Sequence, residues 1–178
     1  MGNTFQENIH NTENEDERNI RPVTLADADA ITEIYNHYIK TTTITFETEP
    51  ITSQEMASRI KDISAHFPYF VYERDGKILG YCYAHLWKER AAYSKTLETT
   101  IYIDKDAVHQ GLGSLMVNHL IELCRKQGFH ALIACITDGN EASVKMHEQL
   151  GFKPVSCYKE VGYKFGRWLD VVDLEYML

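Results

Sequence analysis

The stretch Leu97-Glu98-Thr99-Thr100-Ile101-Tyr102-Ile103, followed by Val108-His109-Gln110-Gly111-Leu112-Gly113-Ser114, decides the fold. The first segment is rich in β-branched and aromatic residues and alternates between two faces, which is typical of a strand. The second contains two glycines and opens a segment with apolar residues at helical spacing, which Gly128 ends. The sequence therefore predicts a strand, a glycine turn and a helix, in that order.

A chain that enters a helix through glycines directs several free N–H groups at one point, where the helix dipole adds positive potential. Such a turn is suited to bind phosphate. The motif is weak by itself, because Gly-x-Gly also occurs in turns that bind nothing. It is not a Walker loop, since no Gly-Lys-Ser/Thr follows, and it lacks the third glycine of the dinucleotide fingerprint.

Length and charge limit the possible classes of protein. With 178 residues, the chain suits one domain with a substantial core. Its formal net charge of −8 argues against binding to nucleic acid or to an anionic membrane. Neither a secretory signal nor an apolar run of membrane-spanning length is present, so we expect a cytoplasmic protein.

The cysteines and histidines show no metal-binding or disulfide pattern. Cys82, Cys124, Cys135 and Cys157 are scattered, and each sits in an apolar run. We therefore expect four reduced core residues of a cytosolic protein. The eight histidines form no metal-type cluster, and we expect no metal.

The N-terminal residues 1–19 are polar and acidic, and we expect a disordered or loosely attached tail before a single domain over residues 20–178. A short strand at 20–23 is followed by a capping box that opens a helix to about Tyr38. A second capped helix is predicted from Thr52 to near Ser64. Between the helices, residues 41–50 form either an edge segment or a loop that offers Phe46 and Glu47 to a small ligand.

Next, Asp75-Gly76 is the strongest hairpin signal in the chain and joins strands over 69–73 and 77–85. The segment Trp87-Lys88-Glu89-Arg90-Ala91-Ala92-Tyr93 is dense in aromatic and cationic residues. It is either a solvated connection or an anion pocket in which Lys88 and Arg90 are donors beside Tyr93.

The remaining chain predicts a mixed sheet. Residues 131–136 form a fully apolar strand of the kind that is buried on both faces. Asn140 caps a helix over 141–150, and two β-like runs, 153–163 and 168–174, finish the chain. Hairpins flank alternating strands and helices, so we predict an α/β (mixed α+β) fold with helices on both faces of the sheet.

The block Asn140-Glu141-Ala142-Ser143-Val144-Lys145-Met146-His147-Glu148-Gln149-Leu150-Gly151-Phe152 resembles the Asn-x-x-Ala/Ser … Gly-Phe helix of the GNAT superfamily of N-acetyltransferases. The first strand and helix, the hairpin and the glycine turn precede it in the order of that family. Further stretches resemble its phosphinothricin acetyltransferase-like branch: residues 35–38, 45–50, 87–93, 98–102, 161–164, Trp168 and Asp170. The resemblance implies a GNAT fold, with a central twisted, mostly antiparallel mixed sheet of six to seven strands and a V-shaped splay.

The resemblance also implies acetyl-CoA as co-substrate. The glycine turn would bind the pyrophosphate through its main chain, and pantetheine would pair with the strand beside the splay. The implied binding residues are Ile101, Tyr102, Ile103, Val108, His109, Gln110, Gly111, Leu112, Gly113, Ser114, Asn140 and Ser143. Val108 departs from the family, which usually has Gln or Arg at that position.

Two residues are candidates for the chemistry of amine acetylation. Glu98 is a carboxylate inside a strand, where β-propensity disfavours it, and could act as the general base directly or through a water. It could instead face the surface or pair with Lys88 or Arg90. His147 stands where the family commonly has a tyrosine that acts as general acid, but a hydrogen-bonded, partly buried histidine is an equal alternative.

The branch implies acetylation of the α-amine of a small amino acid or analogue, such as phosphinothricin or methionine sulfoximine or sulfone, by direct attack in a ternary complex. Lys88, Arg90 and Tyr93 would hold its acidic end, with Phe46 and Glu47 nearby. The branch also implies a homodimer. Two alternatives remain open: a GNAT enzyme acting on another amine, such as a protein N-terminus, and a non-catalytic acyl-CoA-binding module.

Overall fold

A computed structural model describes residues 17–178 of the chain. The predicted N-terminal tail falls mostly on residues 1–16, which lie outside the described residues. Within the described part, Asn19 is attached to the sheet: its carbonyl accepts a hydrogen bond from the Glu73 amide at 2.8 Å, and its side chain donates to the Tyr72 hydroxyl at 3.2 Å.

The described residues form seven strands, four α-helices and two short 3₁₀ helices, at Leu25–Asp27 and Ala91–Tyr93. The strands are β1 (Ile20–Pro22), β2 (Tyr69–Arg74), β3 (Lys77–Leu86), β4 (Thr96–Ile103), β5 (Ala131–Thr137), β6 (Lys153–Lys164) and β7 (Arg167–Met177). The α-helices are α1 (Ala28–Thr41), α2 (Ser53–Ser64), α3 (Leu112–Lys126) and α4 (Glu141–Gln149).

All seven strands belong to one sheet with the order β1-β2-β3-β4-β5-β7-β6. Neighbouring strands are antiparallel except for β4 and β5, which are parallel and are joined through α3. Core residues of α1 and α2 cluster on one face with tyrosines of β2 and β3, and core residues of α3 cluster on the other. The predicted fold class, a mostly antiparallel mixed sheet with helices on both faces, is confirmed.

The predicted splay is present between β4 and β5. The two strands pair only at Thr96↔Ala131, Leu97↔Leu132 and Glu98↔Ile133. Beyond Glu98 they diverge, whereas β5 pairs with β7 along its whole length. We call the space between residues 99–103 of β4 and residues 134–137 of β5 the cleft.

Local signals in the sequence agree with the elements that form. Asp75 and Gly76 have φ angles of 53° and 74°, which the predicted two-residue hairpin requires. The capping box of Thr52 and Glu55 opens α2. The first predicted helix begins as the 3₁₀ turn Leu25–Asp27, and the α-helix that follows, α1, ends at Thr41, beyond the predicted end near Tyr38. Residues 42–52 form an irregular loop between α1 and α2.

The prediction that all four cysteines are core residues is wrong for two of them. Cys82 and Cys124 are buried, whereas Cys135 and Cys157 are exposed, and all four are free thiols. Cys135 lies on the same face of the sheet as Glu98. The helices α1 and α2 cover this face over β2, β3 and β4 and leave Cys135 of β5 uncovered. Cys157 lies on β6 at the edge of the sheet. The other residues of β5 are buried on both faces, as predicted, and Cys135 is the exception. No helix among residues 17–178 is both long and apolar enough to span a membrane.

Candidate active site

Two adjoining cavities open at the cleft. The larger, of about 430 Å³, lies at the N-terminus of α3, and the smaller, of about 240 Å³, lies between β4 and β5. Five lining residues belong to both cavities: Ile44, Ile101, Tyr102, Asn140 and Ser143. The two cavities therefore form one continuous site that runs from the glycine turn to the divergence of the strands.

The glycine turn lines the larger cavity. Gly111 is the N-cap of α3 and has a φ of 80°, a left-handed conformation that glycine adopts without strain. His109 is also left-handed, at 63°, which is a strained geometry typical of binding loops. The first amides of α3 have no acceptors within the helix, so they present N–H groups to the cavity. This arrangement suits a phosphate.

The predicted coenzyme-binding residues meet at this cavity, with one exception. Its lining includes Ile101, Tyr102, Ile103, Val108, His109, Gly111, Leu112, Gly113, Ser114, Asn140 and Ser143. Gln110 does not line it, and its side-chain oxygen instead accepts a hydrogen bond from Arg74 at 2.9 Å. The structure therefore brings the predicted set together but directs Gln110 elsewhere.

The backbone of β4 beside the cleft is arranged to take an extended ligand. The ladder between β4 and β5 ends at Glu98, so the following residues of β4 face the cleft instead of β5. The Tyr38 hydroxyl donates to the carbonyl of Ile103 at 2.6 Å. Because a carbonyl can accept two hydrogen bonds, this contact orders the strand without removing Ile103 as a partner.

The smaller cavity holds both candidate catalytic side chains. Its lining comprises Ile44, Phe46, Glu98, Thr99, Thr100, Ile101, Tyr102, Ala134, Cys135, Ile136, Thr137, Asn140, Ser143, His147 and Val171. Among these, Glu98 is the only carboxylate and no lysine or arginine is present. The cavity is therefore an apolar and hydroxyl-lined space around one acid, which favours a cationic or neutral amine.

Glu98 is half-buried on β4, and its carboxylate is more basic than an ordinary glutamate. Burial raises its pKa, and the charge of Asp173 raises it further, whereas His85 and a hydrogen bond from the Cys135 thiol lower it. Within the described chain, neither Lys88 nor Arg90 forms an ion pair with Glu98. The geometry thus favours a carboxylate that faces the cavity over the alternative of an ion pair with Lys88 or Arg90.

His147, on α4, is only 2% exposed. Its Nδ1 lies 2.9 Å from the Ser143 carbonyl oxygen, and burial lowers its pKa, so the neutral ring with a proton on Nδ1 is the favoured form. The Phe152 ring packs edge-on at 5.0 Å. The Nε2 atom is buried and has no hydrogen-bond partner among residues 17–178. In this form it presents a lone pair instead of a proton.

The loop over residues 42–52 contributes Phe46 to the smaller cavity but not Glu47. The Phe46 ring packs directly over Gly162 of β6. Glu47 instead accepts hydrogen bonds from Arg59 at 2.6 Å and from the Tyr35 hydroxyl at 3.1 Å. The Glu47 carboxylate therefore holds the loop to α1 and α2 by hydrogen bonds.

The cationic segment between β3 and β4 does not line either cavity. The Lys88 ammonium lies 3.8 Å from the centre of the Trp87 ring and 5.3 Å from that of Tyr93, which are cation–π distances. The segment begins after Leu86, which pairs with Leu97, the residue that precedes Glu98 on β4. Within one chain, Lys88, Arg90 and Tyr93 are thus near the end of the cleft but not in it.

Sequence reasoning missed two neighbours of Glu98. Cys135 lines the smaller cavity, and Asp173 of β7 lies opposite Cys135 in the sheet. A signal for Asp173 was available, because an aspartate inside the apolar run 171–174 is disfavoured in a strand for the same reason as Glu98. The pairing of β7 with β5 was not visible in the sequence.

Comparison with known proteins adds independent information. A family model described as an acetyltransferase (GNAT) domain matches residues 20–172. The chain is 44% identical over 155 residues to phosphinothricin N-acetyltransferase of Alcaligenes faecalis, covering 86% of this chain and 79% of the relative. It is 34% identical over 161 residues to the L-methionine sulfoximine/L-methionine sulfone acetyltransferase of Pseudomonas paraeruginosa, covering 88% and 92%.

Solved structures agree with this similarity. One is the crystal structure of a GNAT superfamily phosphinothricin acetyltransferase from Sinorhizobium meliloti in complex with AcCoA. It superposes with a TM-score of 0.87 at 34% sequence identity, covering 89% of this chain and 87% of that chain.

Proposed function

We propose, since this chain belongs to the GNAT acetyltransferase family, that it transfers the acetyl group of acetyl-CoA to the α-amine of a small amino acid or analogue. The observation that carries the proposal is the continuous site described above. A glycine turn suited to phosphate lies at one end, and a basic, half-buried carboxylate lies at the other.

The residues of the larger cavity fit acetyl-CoA. The left-handed Gly111 and the first amides of α3 provide main-chain donors for a diphosphate, and the cleft side of β4 provides hydrogen-bonding groups for an extended amide chain. Acetyl-CoA, when bound there, supplies the activated acetyl thioester. Asn140 and Ser143 line both cavities and would stand where the two ligands meet.

Glu98 prepares the acceptor. An amine must lose its proton before it can attack, yet at neutral pH an alkyl amine is mostly protonated. A carboxylate whose pKa is raised by burial takes that proton more readily than an exposed glutamate does, directly or through a water.

His147 is not the resident acid in this proposal. Its Nδ1 proton is held by Ser143, and its Nε2 is buried and carries a lone pair, so the neutral ring has no proton to give at the cavity. The general-acid role remains a prediction that requires a proton to arrive at Nε2 first. The departing thiol has a pKa near 8.5, so water can also supply its proton.

The acceptor belongs to the class named for the relatives, namely phosphinothricin and methionine sulfoximine or sulfone. Phe46 forms the apolar wall that contacts its side chain. Lys88, Arg90 and Tyr93 line neither cavity within one chain, so their role in holding its acidic group stays a prediction from the family resemblance. Glu47 contributes by fixing the loop that carries Phe46.

We further propose a cytoplasmic homodimer. The β6–β7 hairpin displays a set of large apolar side chains that are between 46% and 61% exposed: Val155, Tyr158, Val161, Tyr163, Phe165 and Trp168. A concentration of this kind marks an interface more often than a free surface. A second copy of the chain is the occupant that the branch implies.

The experiment measures thiol release from acetyl-CoA with phosphinothricin, L-methionine sulfoximine, L-methionine sulfone and L-methionine as acceptors. The wild-type enzyme should turn over at least the analogues. Glu98→Gln should lower kcat by about 10²–10⁴-fold, because that is the usual contribution of a positioned base. Its Kd for acetyl-CoA should stay nearly unchanged, because Glu98 does not line the larger cavity.

Glu73→Gln is the control, since Glu73 is a strand carboxylate that pairs with Arg21 away from the cleft. It should retain the wild-type kcat. Tight binding of acetyl-CoA without turnover of any acceptor would instead favour a non-catalytic acyl-CoA-binding module. Full activity of Glu98→Gln would exclude Glu98 as the base.

A further inference from the structure

A row of polar side chains crosses the sheet next to Glu98. Strand pairing places side chains of paired residues on the same face. His85 of β3 pairs with Glu98, Cys135 of β5 pairs with Asp173 of β7, and Asp173 also pairs with Ser156 of β6. The residues directly across the sheet from Glu98 are Ile133 and then Glu175. Cys135, Asp173 and Ser156 form the next row, two residues further along β5 and on the same face as Glu98.

Asp173 is the buried member of this row. It is only 5% exposed, and the Ser156 hydroxyl donates to its carboxylate at 2.9 Å. None of the ion pairs formed by residues 17–178 includes it. A buried carboxylate that is held only by neutral hydrogen-bond donors is costly to keep, so its presence calls for an explanation.

The Cys135 thiol connects the two acids. It lines the smaller cavity and interacts with both Glu98 and Asp173. Partial burial and these two carboxylates raise its pKa, so that it stays a thiol and a proton donor at neutral pH. A thiol in this state is a poor nucleophile, and its available role is to hold a carboxylate by hydrogen bonding.

We propose that Asp173 is a positioning residue for Glu98, acting through the Cys135 thiol and through its own negative charge. The negative charge of Asp173 opposes the ionisation of Glu98 and so makes Glu98 a stronger base, while the Cys135 thiol restrains the direction of the Glu98 carboxylate. The inference rests on the proposed function for its catalytic consequence, but not for the electrostatic coupling itself.

Other titratable groups also face Glu98. On β3, His85 opposes the effect of Asp173, and Tyr83 lies within electrostatic reach of Glu98. From α4, His147 lines the same cavity and is favoured in its neutral form. From β7, Asp173 adds a negative charge that acts on Glu98, and Glu175 lies on the same face across Ile133.

Asp173 raises the pKa of Glu98 and Cys135 lowers it, so the proposal can be tested by titration without an assay of turnover. In protein labelled with [¹³Cδ]glutamate, the Glu98 carboxyl resonance is assigned by its loss in Glu98→Gln and is then titrated. Asp173→Asn should move the titration midpoint to lower pH, because the repelling charge is removed. Cys135→Val should move it to higher pH, because the donor to the carboxylate is removed.

Glu175→Gln is the matched control, since Glu175 lies on the same strand and the same face two residues from Asp173. It should leave the midpoint unchanged. An unchanged midpoint in Asp173→Asn, or shifts of the same sign in Asp173→Asn and Cys135→Val, would overturn the proposal. If Asp173→Asn fails to fold, the sign of the Cys135→Val shift decides alone, and a downward or absent shift overturns the proposal.

A second measurement connects the coupling to catalysis. The acidic limb of kcat/KM against pH should shift in the same direction as the Glu98 titration in each variant. A merely structural effect of Asp173 would lower the rate at every pH without moving this limb. If no acceptor is turned over, the NMR titration still decides the coupling, and only the proposed function fails.

Discussion

At the residue scale, burial has opposite consequences for the two candidate catalytic side chains. The charged form that Glu98 needs is disfavoured by burial, whereas the neutral form of His147 is favoured by it. The contact of His147 with Ser143 also selects the neutral form. The site thus keeps a carboxylate charged at a cost to stability, next to an uncharged ring.

Glu98→Gln should therefore raise stability at neutral pH. Because the folded-state pKa of Glu98 is raised, its contribution to stability is present below the ordinary glutamate pKa of about 4.3 and is lost as pH rises through the folded value. The gain in Tm of Glu98→Gln over wild type should grow from pH 4 to pH 8. A gain that is independent of pH would show that ionisation is not its cause.

Glu55→Gln provides a control of opposite sign. Glu55 closes the capping box of α2, and the Thr52 amide and hydroxyl lower its pKa. Its stabilising effect is present above the ordinary glutamate pKa and is lost on acidification. Glu55→Gln should hence lower Tm at neutral pH and lose this effect as pH falls below about 4.

At the scale of secondary-structure elements, the glycine turn is separable from the helix that it opens. Gly111 at the start of α3 and Gly128 just beyond its end have φ angles of 80° and 75°, and a Cβ at either position would meet open space. Substitution by alanine should cost about 1 kcal/mol of stability at both positions, from backbone strain alone.

Only Gly111→Ala should weaken acetyl-CoA binding, by about tenfold, which corresponds to the loss of one charge-assisted hydrogen bond of about 1.5 kcal/mol. Calorimetric titration with acetyl-CoA compares it with Gly128→Ala, whose Kd should equal that of the wild type. Equal Kd values for both variants and wild type would remove the turn from the coenzyme site.

The contact between Phe46 and Gly162 links two elements that are distant in sequence. A Cβ at Gly162 would overlap the Phe46 ring, so the ring would have to move. Gly162→Ala should raise KM for the acceptor and leave the Kd for acetyl-CoA unchanged, at a stability cost of about 1–3 kcal/mol. In a Phe46→Ala background the same substitution should have little further effect. Additive effects would contradict the contact.

The elements were more predictable than their contacts. Strand alternation, the Asp75-Gly76 turn and the helix caps located all seven strands and four helices, because these signals are local. The splay was foreseen through the family resemblance. The exposure of Cys135 and the approach of Asp173 to Glu98 were not, because they depend on which strands pair and which face the helices cover. The direction of Glu47 toward Arg59 likewise depends on tertiary packing.

At the scale of the whole molecule, the apolar surface of the β6–β7 hairpin determines the expected assembly. Light scattering should give twice the chain mass of 20.6 kDa for the wild type. Trp168→Glu should shift it toward the single-chain mass, because a charge would be buried against a partner. Leu25→Glu is the control. Leu25 is a similarly exposed apolar residue, but it lies near β1, at the opposite edge of the sheet from β6, so this variant should keep the wild-type mass. A monomeric wild type would contradict the proposal.

The short junction between β4 and β5 has a mechanical consequence. Among residues 17–178, three residue pairs form the whole ladder between the four strands β1 to β4 and the three strands β5 to β7. An extended ligand that pairs its amides with β4 in the cleft would add hydrogen bonds where this ladder stops. We therefore expect the two halves of the sheet to move less relative to each other when acetyl-CoA is bound.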